Sequence, residues 1–97
     1  MEPFVALAAD IASEVCRPDE DASEAMRIFG AKEAAYKAQF TLTAEMLDHS
    51  AMRITLDESG GFEAEFKVAL PGMAPGWRLV GRQVLVGPLL LSTVRIP

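Results

Sequence analysis

A long helix-forming segment most constrains the fold of this 97-residue chain. It runs over residues 21–40 and consists mostly of Ala, Glu, Lys and Met, which favour helices. At about 100° per residue, one stripe of this helix is apolar except for a single carboxylate; it comprises Met26, Phe29, Glu33, Tyr36 and Phe40. We expect this stripe to be buried. Because a buried carboxylate is costly unless something pairs with it, the pattern predicts that Glu33 binds a partner.

Two lysines flank this stripe, Lys32 on one side and Lys37 on the other. Taken alone, such lysines are usually solvated charges on a helix surface. The sequence pattern does not decide what the partner of Glu33 is. The carboxylate either belongs to a binding site or pairs with an arginine from the sheet, Arg53 or Arg82. Each of these alternatives satisfies the buried charge.

Further helices are predicted on both sides of the long one. Spacings of three and four between apolar residues predict a helix over residues 4–15, which ends at Arg17-Pro18 because the residue before a proline leaves the helical region. Residues 19–21 are expected to form a solvated acidic turn. A capping signal at Thr43 predicts a short helix to Asp48. Gly30 inside the long helix is either a simple packing glycine, which we favour, or a position where another backbone or a ligand approaches closely.

The C-terminal half changes to the alternating pattern of half-buried strands. Strands are predicted over residues 51–57 and 62–70 as a hairpin, then over 77–80 and 83–96, with a turn or bulge at Gly81-Arg82 and an interruption at Gly87-Pro88. Helices followed by strands predict an α+β fold, in which N-terminal helices, one of them long, pack on a small antiparallel sheet of three or four strands. We expect a single domain over residues 1–97.

Composition excludes several classes of function. A net charge of −5 argues against binding to nucleic acid through phosphate contacts. No apolar run is long enough to span a membrane, and no signal peptide is visible. The single cysteine, Cys16, excludes an internal disulfide and fits a reducing compartment, so a cytoplasmic location is expected. A small sheet with helices on one face leaves its other face and its edges uncovered, which favours a dimer or a missing second half.

The segment Phe29 to Lys37 has the form Phe-x-x-Lys-Glu-Ala-x-Tyr-Lys. It resembles the signature of the 4′-phosphopantetheinyl transferase superfamily, in particular the branch of the enterobactin synthetase component D. Val15 to Glu20 is similar to the "V-C-x-P-x-E" turn before the signature helix. Residues 38–48 and the closing residues 81–97 are also similar to that branch, so the resemblance spans nearly the whole chain.

The resemblance implies an activity and a set of site residues. The family transfers a phosphopantetheine arm from coenzyme A to a serine of an acyl or peptidyl carrier protein with Mg²⁺. By resemblance, Glu33 would be a Mg²⁺ ligand, and Glu2 a second one, because Met1-Glu2-Pro3 is similar to the tail of the family's first metal motif. Lys37 would neutralise charge on the pyrophosphate, and Lys32 would contact a phosphate or hold the metal-binding geometry.

The resemblance also implies that this chain is a half. Members of the branch are usually longer, with two similar halves packed as a pseudo-dimer, and the matching residues are those of the C-terminal half. The aspartate and glycine of the first metal motif are absent. The chain would then be a transferase that a second copy, as a homodimer, or a complementary N-terminal half completes. The alternative is a catalytically inactive truncated homologue that serves as a dimerisation or carrier-protein-binding module.

A second resemblance is weaker. Asp10-Ile11 is similar to the Asp-Ile pair of the short, trimeric carrier-protein synthases. The spacing from Asp10 to Lys32 is too short for that family, and the helical pattern places Asp10 within a helix. We therefore favour the first resemblance.

Overall fold

The protein folds into one long helix packed on a four-stranded antiparallel sheet. The computed structural model describes residues 15–96. The sheet has the strand order β1-β2-β3-β4, and the elements are α1 (Ala25–Thr43), β1 (Met52–Leu56), β2 (Gly61–Phe66), β3 (Arg78–Val86) and β4 (Leu89–Arg95). The predicted α+β class with a small antiparallel sheet is confirmed. Glu2 and the predicted first helix, apart from Val15, lie outside the described residues.

The helix α1 ends later than predicted, and the predicted short helix after it is wrong. Ala44 adopts a left-handed conformation with φ 58°, and its N–H donates to the Phe40 carbonyl at 2.8 Å. This conformation stops the helix. The segment that follows has no regular structure until a single 3-10 turn, His49–Ala51, where the Asp48 side chain accepts a hydrogen bond from the Ser50 N–H.

The chain reverses at Gly87-Pro88, between β3 and β4, and β3 runs without a break through Gly81 and Arg82. The predicted turn or bulge at Gly81-Arg82 is therefore wrong. A Cβ atom on Gly81 would collide with the Phe62 ring and the Thr93 carbonyl. The glycine thus serves close packing inside a continuous sheet, and its turn-forming character misled the sequence interpretation.

Three alanines and one isoleucine form the apolar part of the face of α1 that packs on the sheet. This part consists of Ile28, Ala31, Ala35 and Ala38, and it lies on buried side chains of the sheet, chiefly Met52, Ile54, Phe62, Phe66 and Leu79. The predicted burial of the larger apolar stripe is wrong for Met26 and Phe40, which are 47% and 42% exposed, whereas Phe29 and Tyr36 are half-buried and pack against the core. Alanines allow the helix to approach the sheet closely, so the larger side chains lie beside the interface.

The face of the sheet away from α1 is exposed in the described structure. Val80 and Val84 on β3 are 60% and 56% exposed, and Leu91 on β4 is 50% exposed. This agrees with the expectation that helices cover one face only. Within residues 15–96, no helix combines the length and the apolar character needed to cross a membrane.

Candidate functional site

A groove between α1 and the β3–β4 hairpin contains two of the predicted site residues. Glu33 and Lys37, one turn apart on α1, line this groove together with Leu90 and Ser92 of β4. Gly30 allows the helix and the strand to approach closely, because a Cβ atom there would lie 3.0 Å from the Ser92 Oγ. The neighbours of Gly30 are side-chain atoms of Ser92, Gln83 and Leu90, so it is a packing glycine, and the predicted close approach of another backbone is not found in the described structure.

The side chains of Glu33 and Lys37 face this groove without partners in the part of the chain that the structure describes. Glu33 is half-buried and Lys37 is exposed. The two arginines considered as alternative partners of Glu33 are engaged elsewhere: Arg53 lies 3.8 Å from Asp19, and Arg82 donates to the Ser59 carbonyl. Neither arginine is therefore the partner of Glu33 in the described structure.

Lys32 is buried beneath the helix and does not reach the groove. Its Nζ donates hydrogen bonds of 2.7 Å to the Val15 carbonyl, Glu20 Oε1 and the His49 carbonyl. An ammonium has three donors, so none is left for a coenzyme phosphate. The structure does not support the predicted direct contact of Lys32 with a phosphate. The other predicted role of Lys32, which is to hold the metal-binding geometry, stays a prediction.

Glu20 is the partner that the sequence interpretation missed. Its side chain is 1% exposed; Oε1 also accepts from the Arg17 N–H, and Oε2 accepts from the Ile54 N–H, both at 2.6 Å. One carboxylate thereby joins the turn before α1, the helix and β1. The expected solvated turn is confirmed for Asp19 and Asp21, which are exposed, and wrong for Glu20. The sequence feature that could have identified Glu20 is its position at the end of the "V-C-x-P-x-E" pattern.

Gln83 on β3 connects the sheet to α1 beneath the groove. Its Nε2 donates to the Arg27 carbonyl at 2.7 Å and to Ser92 Oγ at 3.0 Å, and its Oε1 accepts from Arg27 Nε at 3.2 Å. The residue is buried on the helix-facing side of β3. Inward-facing positions of a strand are usually apolar, and Gln83 occupies such a position in β3. This polar residue in the alternating pattern was the sequence signal that could have identified it.

The turn between β1 and β2 borders the groove at Glu58 to Gly60. Asp57 Oδ1 organises this turn by accepting hydrogen bonds from Ser59 Oγ at 2.7 Å, the Gly61 N–H at 2.8 Å and the Ser59 N–H at 2.9 Å. The Ser59 hydroxyl and then the Gly61 amide lower the pKa of the Asp57 carboxyl below its ordinary value of 3.8. The charged form of Asp57 therefore stabilises this border of the groove.

Two carboxylates line the groove, Glu33 on α1 and Glu58 in the turn between β1 and β2. Within residues 15–96, no three side chains of His, Cys, Asp or Glu converge on one point. Mg²⁺ is commonly held by one or two carboxylates, with phosphate oxygens and water completing its coordination. Glu33 with Lys37 one turn away fits a magnesium–phosphate group of this kind, and Glu2 lies outside the described residues.

These observations define an α+β domain with a carboxylate and an ammonium in one groove, suited to a metal-bound phosphate group. The family model of the 4′-phosphopantetheinyl transferase superfamily matches residues 3–80, which include Lys32, Glu33 and Lys37. The chain belongs to this superfamily. No curated protein sequence matches it.

Proposed function

We propose that this chain is a 4′-phosphopantetheinyl transferase domain of the enterobactin synthetase component D-like branch. It corresponds to the C-terminal half of a longer transferase and forms a single domain over residues 1–97. Its reaction transfers phosphopantetheine from coenzyme A to a carrier-protein serine with Mg²⁺. The observation that carries the proposal is the presence of Glu33 and Lys37 in one groove, and superfamily membership supports the transferase function in general.

The residues of the groove would act on the pyrophosphate of coenzyme A. The serine oxygen attacks the phosphorus that carries pantetheine, the bond from this phosphorus to the bridging oxygen of the pyrophosphate breaks, and the nucleotide leaves with its phosphate. Glu33 would hold Mg²⁺, which neutralises pyrophosphate charge when bound. Lys37 would stabilise the negative charge that develops on the leaving phosphate. Glu33 would also accept the serine proton through a water.

We propose that the groove by itself is only part of a coenzyme site. Its basic side chains are Arg27 and Lys37, whereas coenzyme A carries three phosphate groups. We propose that either a second copy or a complementary N-terminal half supplies further cations, and that Glu2 supplies a second metal ligand. A cytoplasmic location, where coenzyme A and carrier proteins meet, agrees with the single cysteine.

Titration calorimetry with coenzyme A and Mg²⁺ tests this proposal. We expect magnesium-dependent binding that Glu33→Gln abolishes and Lys37→Gln weakens at least tenfold, which corresponds to about 1.4 kcal/mol. Glu45→Gln is the matched control, because Glu45 is exposed and lies outside the groove. Absence of binding at saturating coenzyme A, or equal binding by Glu33→Gln, would refute the proposal for the isolated chain.

One observation favours the alternative, a truncated homologue that binds another protein without catalysis. The β3–β4 hairpin exposes large apolar side chains, with Leu85 and Leu89 exposed at 72% and 62%, as at protein interaction sites. Association with a carrier protein or with a second copy, without any magnesium-dependent binding of coenzyme A, would support this function. Mass spectrometry of a carrier protein after incubation with coenzyme A distinguishes the two, since only a transferase adds the phosphopantetheine arm.

A further inference from the structure

The two edges of the sheet differ in how their backbone groups are satisfied. At the β1 edge, the outward N–H of Ile54 donates to Glu20 Oε2 at 2.6 Å. The buried carboxylate thus covers this edge and takes up a donor that another strand would need. Covering an edge in this way is a common means of preventing strand addition.

The β4 edge has outward backbone groups without such cover in the described structure. The Gln83 N–H donates to the Gly60 carbonyl at 2.7 Å, away from β4, so Gln83 and Ser92 form a pair without mutual backbone hydrogen bonds. The N–H and C=O of Ser92 therefore point outward. By the alternation of an antiparallel ladder, Leu90 and Val94 do the same. Within residues 15–96, β4 is the last strand of the sheet.

The β4 edge carries no charge before its last residue, Arg95. No Asp, Glu, Lys or Arg lies between Arg82 and Arg95, although the chain has 23 such residues and a net charge of −5. Natural edge strands usually carry charges that prevent pairing. A second copy of this acidic chain would therefore meet no electrostatic repulsion along residues 83–94.

Apolar side chains accompany this edge on both faces of the hairpin. Leu85, which pairs with Leu90, is 72% exposed on the side of α1. Val84 and Leu91 form a pair on the opposite face and are 56% and 50% exposed. A strand added at β4 would shield side chains on both faces, so hydrophobic burial would add to the backbone hydrogen bonds.

We propose that β4 pairs antiparallel with β4 of a second copy around a two-fold axis at Ser92, forming one continuous sheet of eight strands. In this register, the outward groups of Leu90 in each copy meet those of Val94 in the other. The backbone N–H and C=O of Ser92 in one copy pair with the C=O and N–H of Ser92 in the other copy. The segment is complementary to itself, as a two-fold interface requires.

This arrangement has a consequence for the groove. The two-fold axis of an antiparallel strand pair is perpendicular to the sheet, so both α1 helices lie on the same face. The groove with Glu33 and Lys37 lies between α1 and β4, and each copy's groove therefore borders the other copy. The second copy is then the partner that completes the active site. This consequence rests on the proposed function.

Light scattering coupled to size-exclusion chromatography tests the pairing on the full chain. We expect twice the chain mass of 10.5 kDa for the wild type. Ser92→Pro should halve that mass, because proline removes an outward donor that is not part of the β3–β4 ladder. Ser92→Ala is the matched control: it removes the hydroxyl that accepts from Gln83 and keeps the backbone N–H, so it should stay dimeric.

A cross-link keeps the proposal testable if Ser92→Pro does not fold. Hydrogen-bonded antiparallel pairs have Cα atoms about 5.5 Å apart, within the range of a disulfide. Ser92→Cys combined with Cys16→Ser should therefore form a covalent dimer on oxidation that dithiothreitol reverses. A monomeric wild type at all concentrations, a folded Ser92→Pro variant that dimerises normally, or no cross-linked dimer would each overturn the proposal.

Measuring coenzyme A binding on the same samples separates this proposal from the proposed function. A wild-type dimer that binds no coenzyme A with Mg²⁺ supports the pairing and contradicts the transferase function. A monomer that binds coenzyme A contradicts the pairing and supports the transferase function. A monomer that binds a separately supplied N-terminal half at the same edge also overturns pairing with a second copy.

Discussion

At the residue scale, Lys32 and Glu33 show how two adjacent motif residues take different roles. Lys32 lies inside the protein, where its ammonium donates to three oxygens. Glu33, about 100° further around the helix, faces the groove. The ion pair between Lys32 and Glu20 fixes the rotation of α1 relative to the turn before it and to β1. The orientation of Glu33 follows from that rotation.

Breaking this buried ion pair should strongly destabilise the fold. Glu20→Gln leaves the Lys32 ammonium buried without its countercharge, and we expect a loss of about 3–5 kcal/mol in the free energy of unfolding, measured by urea denaturation. Glu63→Gln is the control, because its pair with Arg78 is exposed and should contribute at most about 1 kcal/mol. Equal losses in the two variants would contradict this role of Glu20.

Three turns share the sequence Asp-x-Ser, at Asp21, Asp48 and Asp57. In each, the aspartate accepts hydrogen bonds from the N–H and the hydroxyl of the serine two residues later. The serine lowers the pKa of all three carboxyls below 3.8. This motif is local, so the sequence alone predicts it.

The lowered pKa of Asp57 predicts the direction of a pH effect. The folded state favours the charged carboxyl, so its stabilisation is complete above the unfolded pKa near 3.8 and is lost as the pH falls through the lower, folded pKa. The stability difference between the wild type and Asp57→Asn should be constant near neutral pH and shrink below about pH 4. Urea denaturation over a pH series measures it, and a difference that persists in strong acid would disprove the assignment.

At the element scale, the contact between α1 and β4 depends on Gly30. Replacing glycine by alanine inside a helix usually stabilises it by about 1 kcal/mol. Here the new Cβ would lie 3.0 Å from Ser92 Oγ, and Gln83 Nε2 holds this hydroxyl at 3.0 Å. The gain in helix propensity and the crowding at Ser92 therefore oppose each other.

We expect Gly30→Ala to leave the stability of the wild type nearly unchanged. In a Ser92→Ala background, which lacks the crowded oxygen, the same change should stabilise the protein by up to about 1 kcal/mol. Thermal or chemical unfolding of the two single variants and the double variant gives the coupling energy. Strictly additive effects would show that the helix does not approach β4 as the structure describes.

The elements themselves were largely predictable, because their patterns are local. The alternation of residues 51–57 gave β1, and helix-forming residues gave α1 to within a few positions. The errors arose where a residue had more than one role. Gly81 was interpreted as a turn or bulge residue, whereas contact with Phe62 across the sheet requires its lack of a side chain.

At the scale of the whole molecule, burial and charge are unevenly distributed. Glu20 covers the β1 edge, whereas the β4 edge is uncharged before Arg95 and has exposed apolar side chains beside it. If two copies associate there, unfolding includes dissociation, so the melting temperature should rise with protein concentration. Scanning calorimetry at several concentrations measures this rise. Ser92→Pro should melt at a temperature independent of concentration, and a constant melting temperature for the wild type would contradict association.

The sequence by itself determined the helix, the strands, the α+β class and the motif that contains Glu33 and Lys37, because each depends on residues near one another in the chain. Only the tertiary structure decided which face of α1 is buried. Lys32 is internal because Glu20, twelve residues before it, and His49, seventeen residues after it, meet its ammonium. These contacts between distant residues depend on the packing of the whole chain. The spacing of residues along one helix does not predict them.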